Sequence, residues 1–234
     1  MKNALITAAT KGIGRAISIA LAKQGINVAV CARGEKDLVD LKTELLTINP
    51  NIKVFTAATD VSVKAQVLKF AADAEQELGN INIIVNNAGI YEPYSILDDN
   101  EDTFQKGIST NLAPAYELYR YFGKKLIAAG EGHIFNICSV ASLNPVVEAG
   151  TYSVTKFALL GLTKVMRLEL QAHKVKVTAI IPGSTLTSSW DEVEVDKNTM
   201  VMPEDIASAV VNCYKMSPGA NVDEIIIKPV TGQV

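Results

Sequence analysis

The chain lacks any uninterrupted apolar run near the roughly 20 residues that a helix needs to cross a bilayer, so no membrane partner is expected. It also lacks a basic block. Its 22 Lys and Arg stand against 25 Asp and Glu, with the signs interspersed and a net charge of −3, which argues against a nucleic-acid partner. Cysteine is scarce. Cys31, Cys138 and Cys213 are odd in number and far apart, so neither a disulfide framework nor a metal site is expected, and a reducing cytoplasm fits best. Tryptophan occurs once, at Trp190. The opening "MKNALIT" already reads as a strand, which leaves no room for a leader peptide. There is no internal repeat, low-complexity tract or linker, so residues 1–234 are expected to form a single domain.

What is present is an alternation of two periods. Short apolar runs at 3–7, 27–32, 52–60, 81–89, 132–139, 174–183 and 223–230 read as strands. Between them, apolar residues at helical spacing mark helices over 12–25, 35–48, 63–79, roughly 101–129, about 151–172 and 203–215. Strand interiors such as "VAV", "IIV" and "III" suit a sheet buried on both faces. Seven strands alternating with helices predict an α/β fold: a single-domain, doubly wound, seven-stranded parallel sheet of Rossmann type with helices on both faces. Ligands in such sheets bind at the carboxyl ends of the strands, near the point where strand order reverses.

The first of those ends is "TAATKGIG", residues 7–14. Gly12 and Gly14 would let backbone N–H groups approach a pyrophosphate at the positive end of a helix. The strict G-x-G-x-x-G fingerprint is absent, and two glycines alone also suit a plain tight turn. The second strand ends "CARG", with Ala32 and Arg33 where an NAD enzyme typically carries an acid for the ribose hydroxyl. With Lys11 in the first turn, two cations and no acid suit a 2′-phosphate, so NADP(H) is favoured and NAD(H) remains possible. Both cations could equally be solvated surface groups. Glu35 follows closely but sits directly after a turn glycine, a poor place for the strand-end role.

In "TYSVTKFALLGLTKV", Tyr152 and Lys156 are four residues apart and share one helix face. A free phenol has a pKa of about 10, and a neighbouring ammonium favours the phenolate, so such a pair is a plausible acid/base unit. Ser139 ends the preceding strand and could point into the same crevice. A lone Y-x-x-x-K is common by chance, and a surface tyrosine beside a solvated lysine is its ordinary reading.

The ordered set "TAATKGIG", "NNAG" (86–89), Asn111 in "STNL", Ser139 in "ICSVAS", "YSVTK" and "PGSTLT" resembles the short-chain dehydrogenase/reductases over essentially the whole chain. The resemblance implies a catalytic tetrad of Asn111, Ser139, Tyr152 and Lys156. Tyr152 would be the general acid in reduction. Lys156 would hold the nicotinamide ribose and favour the phenolate, and Ser139 would orient the substrate carbonyl. Asn111 would hold a water that links Lys156 to solvent. Ser142 matches the motif less well. For the cofactor, the resemblance implies Thr7, Gly12, Ile13 and Gly14 at the turn. It places Asp60 and Val61 at the adenine, Asn87, Ala88 and Gly89 on the adenosine side, and Pro182, Gly183, Thr185 and Thr187 around the nicotinamide amide. Lys11 and Arg33 stand where NADP-preferring members carry basic residues. Two departures carry expectations. Ala8 replaces the usual first glycine and is tolerable at negative φ. Pro114 falls inside a helix and should kink it near Asn111.

The segment 184–202 would form a lid, with Trp190 covering the pocket or anchoring the loop. Tyr91, Tyr94, Val140, Ala141, Asn144 and Val146 are candidate walls, and Glu148 faces either pocket or solvent. The pattern resembles both 3-oxoacyl-(acyl-carrier-protein) reductases and sepiapterin-reductase-like carbonyl reductases. Asp191, Glu192, Glu194 and Asp196 against Lys197 disfavour an acidic carrier protein and favour a small-molecule carbonyl substrate. The long helices resemble those that build family homodimers and homotetramers. A non-catalytic NADP(H)-sensing protein is the minority alternative.

Overall fold

In the computed structural model, the described residues are all but 188, 189, 191–195, 233 and 234. The apolar runs form strands β1 (Asn3–Ile6), β2 (Asn27–Ala32), β3 (Val54–Ala58), β4 (Ile83–Asn86), β5 (His133–Ile137), β6 (Lys176–Pro182) and β7 (Glu224–Ile227). The helical patterns form α1 (Gly12–Lys23), α2 (Glu35–Ile48), α3 (Lys64–Leu78), α4 (Thr103–Gly107), α5 (Ala113–Ala129), α6 (Gly150–Leu170) and α7 (Pro203–Lys215). All strand pairs are parallel, in the order β3-β2-β1-β4-β5-β6-β7. This is the Rossmann-type sheet that the alternation predicts.

The strands are short because each stops where its last backbone pairing stops. Alternate side chains then enter opposite layers. Ile6, Val28, Val30 and Val85 pack under α1, α2 and α7, against Ile17, Leu21, Leu45 and Val210. Leu5, Ala29, Ile84 and Ile134 pack under α3, α5 and α6, against Phe70, Leu118, Phe122 and Met166. Burying one such side chain contributes about 1.5–3 kcal/mol, so the two layers supply most of the favourable free energy of folding. The amino-terminal end of the sheet is closed by asparagines. Asn3 Nδ2 donates to the carbonyls of Leu78 and Asn80 at 2.7 and 2.9 Å, and Asn27 Nδ2 donates to Asn3 Oδ1 at 2.8 Å.

The expected kink near Asn111 is present as a helix insertion. Ile108–Leu112 form one π-helical turn between α4 and α5, and Ala113 N–H donates to Ile108 O, five residues back. Pro114 has no N–H to continue the α ladder, so the chain takes up the wider turn before it. Outward, α5 and α6 leave Tyr116, Phe157, Val165 and Leu168 exposed. The three cysteines are free and buried, and burial pushes the Cys31 thiol up to about 12. Among the described residues, no helix is long and apolar enough to cross a membrane.

Candidate active site

The strand order reverses between β1 and β4, and the site forms there. Thr7 is buried, and its Oγ1 accepts the N–H groups of Asn87 and Ala88 at 3.0 and 3.1 Å. Asn87 Nδ2 returns bonds to the carbonyls of Thr7 and Ala8 at 3.1 and 3.0 Å. These two residues therefore shape the turn from below. Gly12 has φ +50°, in the left-handed region. At Gly14, a methyl group would stand 2.5 Å from both Ala8 O and Asn87 Nδ2. Only backbone fits there, which leaves a bare turn at the first N–H groups of α1. A turn of this shape fits a diphosphate.

Ala8 corrects an expectation. Its φ is +52°, not negative. The peptides on either side are fixed: Asn87 Nδ2 holds the Thr7 carbonyl before it and the Ala8 carbonyl after it, and Ala9 N–H donates to Cys31 O at 3.0 Å. The backbone is thus held in a conformation that costs a non-glycine residue about 1–2 kcal/mol. Glycine would lose more chain entropy, about 0.5–1 kcal/mol. Ala8→Gly should therefore stabilise the protein by about 0.5–1 kcal/mol, a rise of roughly 1–4 °C in Tm for a chain of this size. An unchanged or lower Tm in a thermal melt would show that Ala8 is not strained.

Arg33 and Lys11 are exposed on the rim of this turn. Arg33 lies near enough to Asp60 to help hold its carboxyl below the usual range, though the main cause is the hydrogen bond from the Ser62 hydroxyl at 2.6 Å. Glu35 and Asp37 occupy the first turn of α2, where acids complement the positive helix end. That placement accounts for Glu35 without a cofactor role. Ala88 is buried, and Val61 packs at the margin of the second layer.

The proposed tetrad converges at the ends of β4 and β5. Tyr152 is half-buried in the first turn of α6. Lys156 is only 4% exposed, its Nζ donates to Ile137 O at 2.9 Å, and it lies 5.7 Å from the Tyr152 ring centroid. Ser139 caps the short 3-10 turn Val140–Ser142, which packs against α6. Its Oγ accepts from Ala141 N–H at 3.1 Å, and its own proton can point outward. Ser142 is buried, its Oγ accepting from Ser139 N–H at 3.1 Å, so it supports Ser139 from below. Ser142 is thus the more enclosed of the two hydroxyls and Ser139 the more accessible.

Asn111 sits in the π-helical turn with its amide engaged. Oδ1 accepts Ile90 N–H at 2.8 Å, and Nδ2 donates to Ile90 O at 3.1 Å and to Thr155 Oγ1 at 2.9 Å. Its Oδ1 and Lys156 Nζ lie on the same side of Gly89, 3.6 and 3.4 Å from where a methyl group on that glycine would stand. Asn111 is therefore beside Lys156, but its side chain clamps the Ile90 backbone. Sequence reasoning did not find this clamp, nor Thr155, nor the Ile137 carbonyl that holds Lys156. Backbone acceptors leave no signal in residue type.

The lid is pinned at its feet. Leu186 N–H donates to Val201 O at 2.8 Å and Val201 N–H to Ser184 O at 3.0 Å, with Thr185 bridging to Val201. Pro182 ends β6, and Gly183 O accepts the Thr185 hydroxyl at 2.9 Å. Thr187 reaches across to the phosphate turn, where a methyl group on Gly12 would meet its Cγ2 at 2.9 Å. Ile13 packs at the margin of the core behind that turn. Trp190 is half-buried, with its N–H on Thr187 O at 3.1 Å. The lid acids Asp191, Glu192 and Glu194 lie outside the described residues. Of the expected walls, Tyr91, Tyr94, Asn144 and Val146 are exposed, Val140 is half-buried and Ala141 is buried.

Residues 2–198 match the family model described as short chain dehydrogenase. A curated relative from Chlorobaculum tepidum, named sepiapterin reductase, is 32% identical over 98% of this chain and 97% of its own. An uncharacterized oxidoreductase of Staphylococcus epidermidis is 31% identical over 98% of this chain and 97% of its own. Among solved structures, an alcohol dehydrogenase from the archaeon Thermococcus sibiricus, complexed with 5-hydroxy-NADP, is 27% identical. It superposes with a TM-score of 0.91 over 100% of this chain and 99% of its own. A metagenomic short-chain oxidoreductase in complex with NADP is 29% identical, with a TM-score of 0.85 over 98% of this chain and 97% of its own.

Proposed function

This chain belongs to the short-chain dehydrogenase family, and from that premise we propose that it is an NADPH-dependent reductase of small ketones or aldehydes. The observation that carries the reading is the convergence of Tyr152, Lys156 and Ser139 beside a turn bare enough for a diphosphate. Gly12 and Gly14 would hold the pyrophosphate, and Arg33 and Lys11 would hold the 2′-phosphate. Bound there, the cofactor supplies the hydride. The Ser139 hydroxyl donates a hydrogen bond to the substrate carbonyl oxygen and fixes its direction. The Tyr152 hydroxyl gives that oxygen its proton as negative charge develops there. Lys156 holds its ammonium against the Ile137 carbonyl, 5.7 Å from the Tyr152 ring centroid, and would hold the nicotinamide ribose. Asn111 keeps the loop after β4 in place beside Lys156.

The relatives named for NADP complexes support the choice of dinucleotide, and the pair of cations without a strand-end acid supports it independently. A carrier-protein substrate is less well supported than a free carbonyl. The segments 87–104 and 140–155 around Tyr152 contain Glu92, Asp98, Asp99, Glu101, Asp102 and Glu148 and no Lys or Arg, a poor surface for an acidic carrier.

The test is NADPH consumption, followed optically, against an acetoacetyl thioester, a diketone, an aromatic aldehyde and a sugar ketone. No turnover despite tight NADPH binding would favour a cofactor sensor. The cofactor choice has its own test. Arg33→Ala should weaken NADPH about 10- to 100-fold, the worth of one charge-assisted bond, and NADH by less than about 3-fold. Equal losses in a fluorescence titration would remove Arg33 from the phosphate. We also propose that copies associate through the exposed apolar side of α5 and α6. Sedimentation as a monomer at micromolar concentration would refute that.

A further inference from the structure

One aromatic neighbour of Tyr152 has no part in the mechanism above. The rings of Tyr91 and Tyr152 meet edge to face, with centroids 5.0 Å apart and planes at 75°. Tyr91 is nonetheless 51% exposed, so one side of its ring is spent on Tyr152 and the other is open.

The chain spends several contacts on holding Tyr91 there. Both backbone groups of its neighbour Ile90 are bound by the Asn111 amide. Three residues later, Tyr94 O accepts the N–H of Gly150, the first residue of the catalytic helix, at 3.0 Å. Asp99 accepts the Thr151 hydroxyl, and Ile96 presses so closely on Gly150 that a methyl group there would stand 2.6 Å from Ile96 Cγ1. The loop after β4 is thus held by Asn111 just before Tyr91 and docked on the start of α6 just after it, with the Tyr91 ring resting on Tyr152. Fixed aromatic surface of this kind binds planar groups with little loss of side-chain freedom.

We infer that Tyr91 selects the substrate: its ring is the wall on which an uncharged aromatic or conjugated carbonyl compound lies while its oxygen reaches Tyr152. The inference rests on the carbonyl-reductase reading given above. A carbonyl held by the Tyr152 and Ser139 hydroxyls carries its substituents past the neighbouring ring, and the open side of Tyr91 is what they meet. The charge around the ring sets the second half of the claim. Glu148 is exposed in the short turn Val147–Ala149 directly before α6 and so sets a negative charge at the mouth of the site, near enough to Tyr91 to help raise its hydroxyl after burial and Tyr152. A carboxylate on the substrate would meet the same field.

Three substrates of similar size separate the possibilities: 1-phenyl-1,2-propanedione, 2,3-hexanedione and phenylglyoxylate. The phenyl diketone should have the highest kcat/KM and phenylglyoxylate the lowest. Tyr91→Phe should keep activity on the phenyl diketone within about 3-fold. Tyr91→Ala should lower its kcat/KM by about 10- to 30-fold, mainly through KM, and that of the hexanedione by less than about 3-fold. An equal fall in kcat for both diketones would mean that Tyr91 only props Tyr152, and would overturn the inference. If the wild-type protein turns over none of the three, the failure belongs to the proposed function. Calorimetric titration of the phenyl diketone into the NADPH-loaded protein then decides the matter. Binding that Tyr91→Ala weakens at least about 10-fold supports the inference, and absent or unaltered binding refutes it.

Discussion

Tyr152→Phe should lower carbonyl reduction by about a thousandfold, the middle of the range for a positioned proton donor, while NADPH affinity stays within about threefold. The reason is local. The substitution removes one hydroxyl and keeps the ring, so the edge-to-face contact with Tyr91 survives. Lys156 also survives in place, since its bond runs to the Ile137 carbonyl and not to the phenol. Ser139 would still hold the carbonyl, but the proton donor would be gone. The loss should therefore appear in kcat and not in KM. Steady-state rates at saturating ketone, with a parallel fluorescence titration of NADPH, measure both quantities. A variant that keeps most of its rate would move the proton donor elsewhere.

Gly14→Ala should be the most damaging single methyl group in the chain. The added carbon would stand 2.5 Å from Ala8 O and 2.5 Å from Asn87 Nδ2. The first is backbone. The second is held by two hydrogen bonds, to Thr7 O and Ala8 O, so it cannot swing aside without losing them. Overpacking of this kind costs about 1–3 kcal/mol, and each displaced bond adds about 1 kcal/mol. Tm should fall by roughly 5–15 °C, and NADPH binding should weaken at least about tenfold because the turn must open. Gly161→Ala is the matched control. It lies within α6, a methyl group there meets nothing within 4 Å, and it should stabilise by about 0.5–1 kcal/mol. Two Gly→Ala changes with opposite signs in one thermal-melt series test the geometry directly. A tolerated Gly14→Ala would mean that the turn is looser than described.

The sheet was legible because its strands are buried on both faces and so read as unbroken apolar runs. Thr7, Asn87 and Ser139 follow the ends of such runs, and strand ends are where an open parallel sheet places ligand-facing groups. Tyr152 and Lys156 were legible because helical spacing alone puts them on one face. The left-handed turn at Ala8 was not. It is imposed by Asn87 and by the Cys31 carbonyl, residues that no local pattern connects to position 8. The same holds for Asn111. Its motif marks it as functional, but its bonds run to Ile90 and Thr155, 21 and 44 residues away. Pro114 announced a break in the long helix. That the break is one inserted residue in a π-helical turn depends on which carbonyl Ala113 finds.

The bonds between Thr7 and Asn87 span 80 positions of chain, because β1 pairs with β4 and not with its sequence neighbour on that side. The loop-closure entropy for such a contact grows only with the logarithm of its length, so the finished site is not costly to hold. Its assembly is another matter, since contacts of long sequence separation form slowly. During synthesis, the glycine turn leaves the ribosome long before the asparagine that completes it. The glycine turn after β1 therefore cannot exist in its final form until the fourth strand has been made, and any stabilisation by a ligand held there would act only on chains that have already joined the two halves of the sheet.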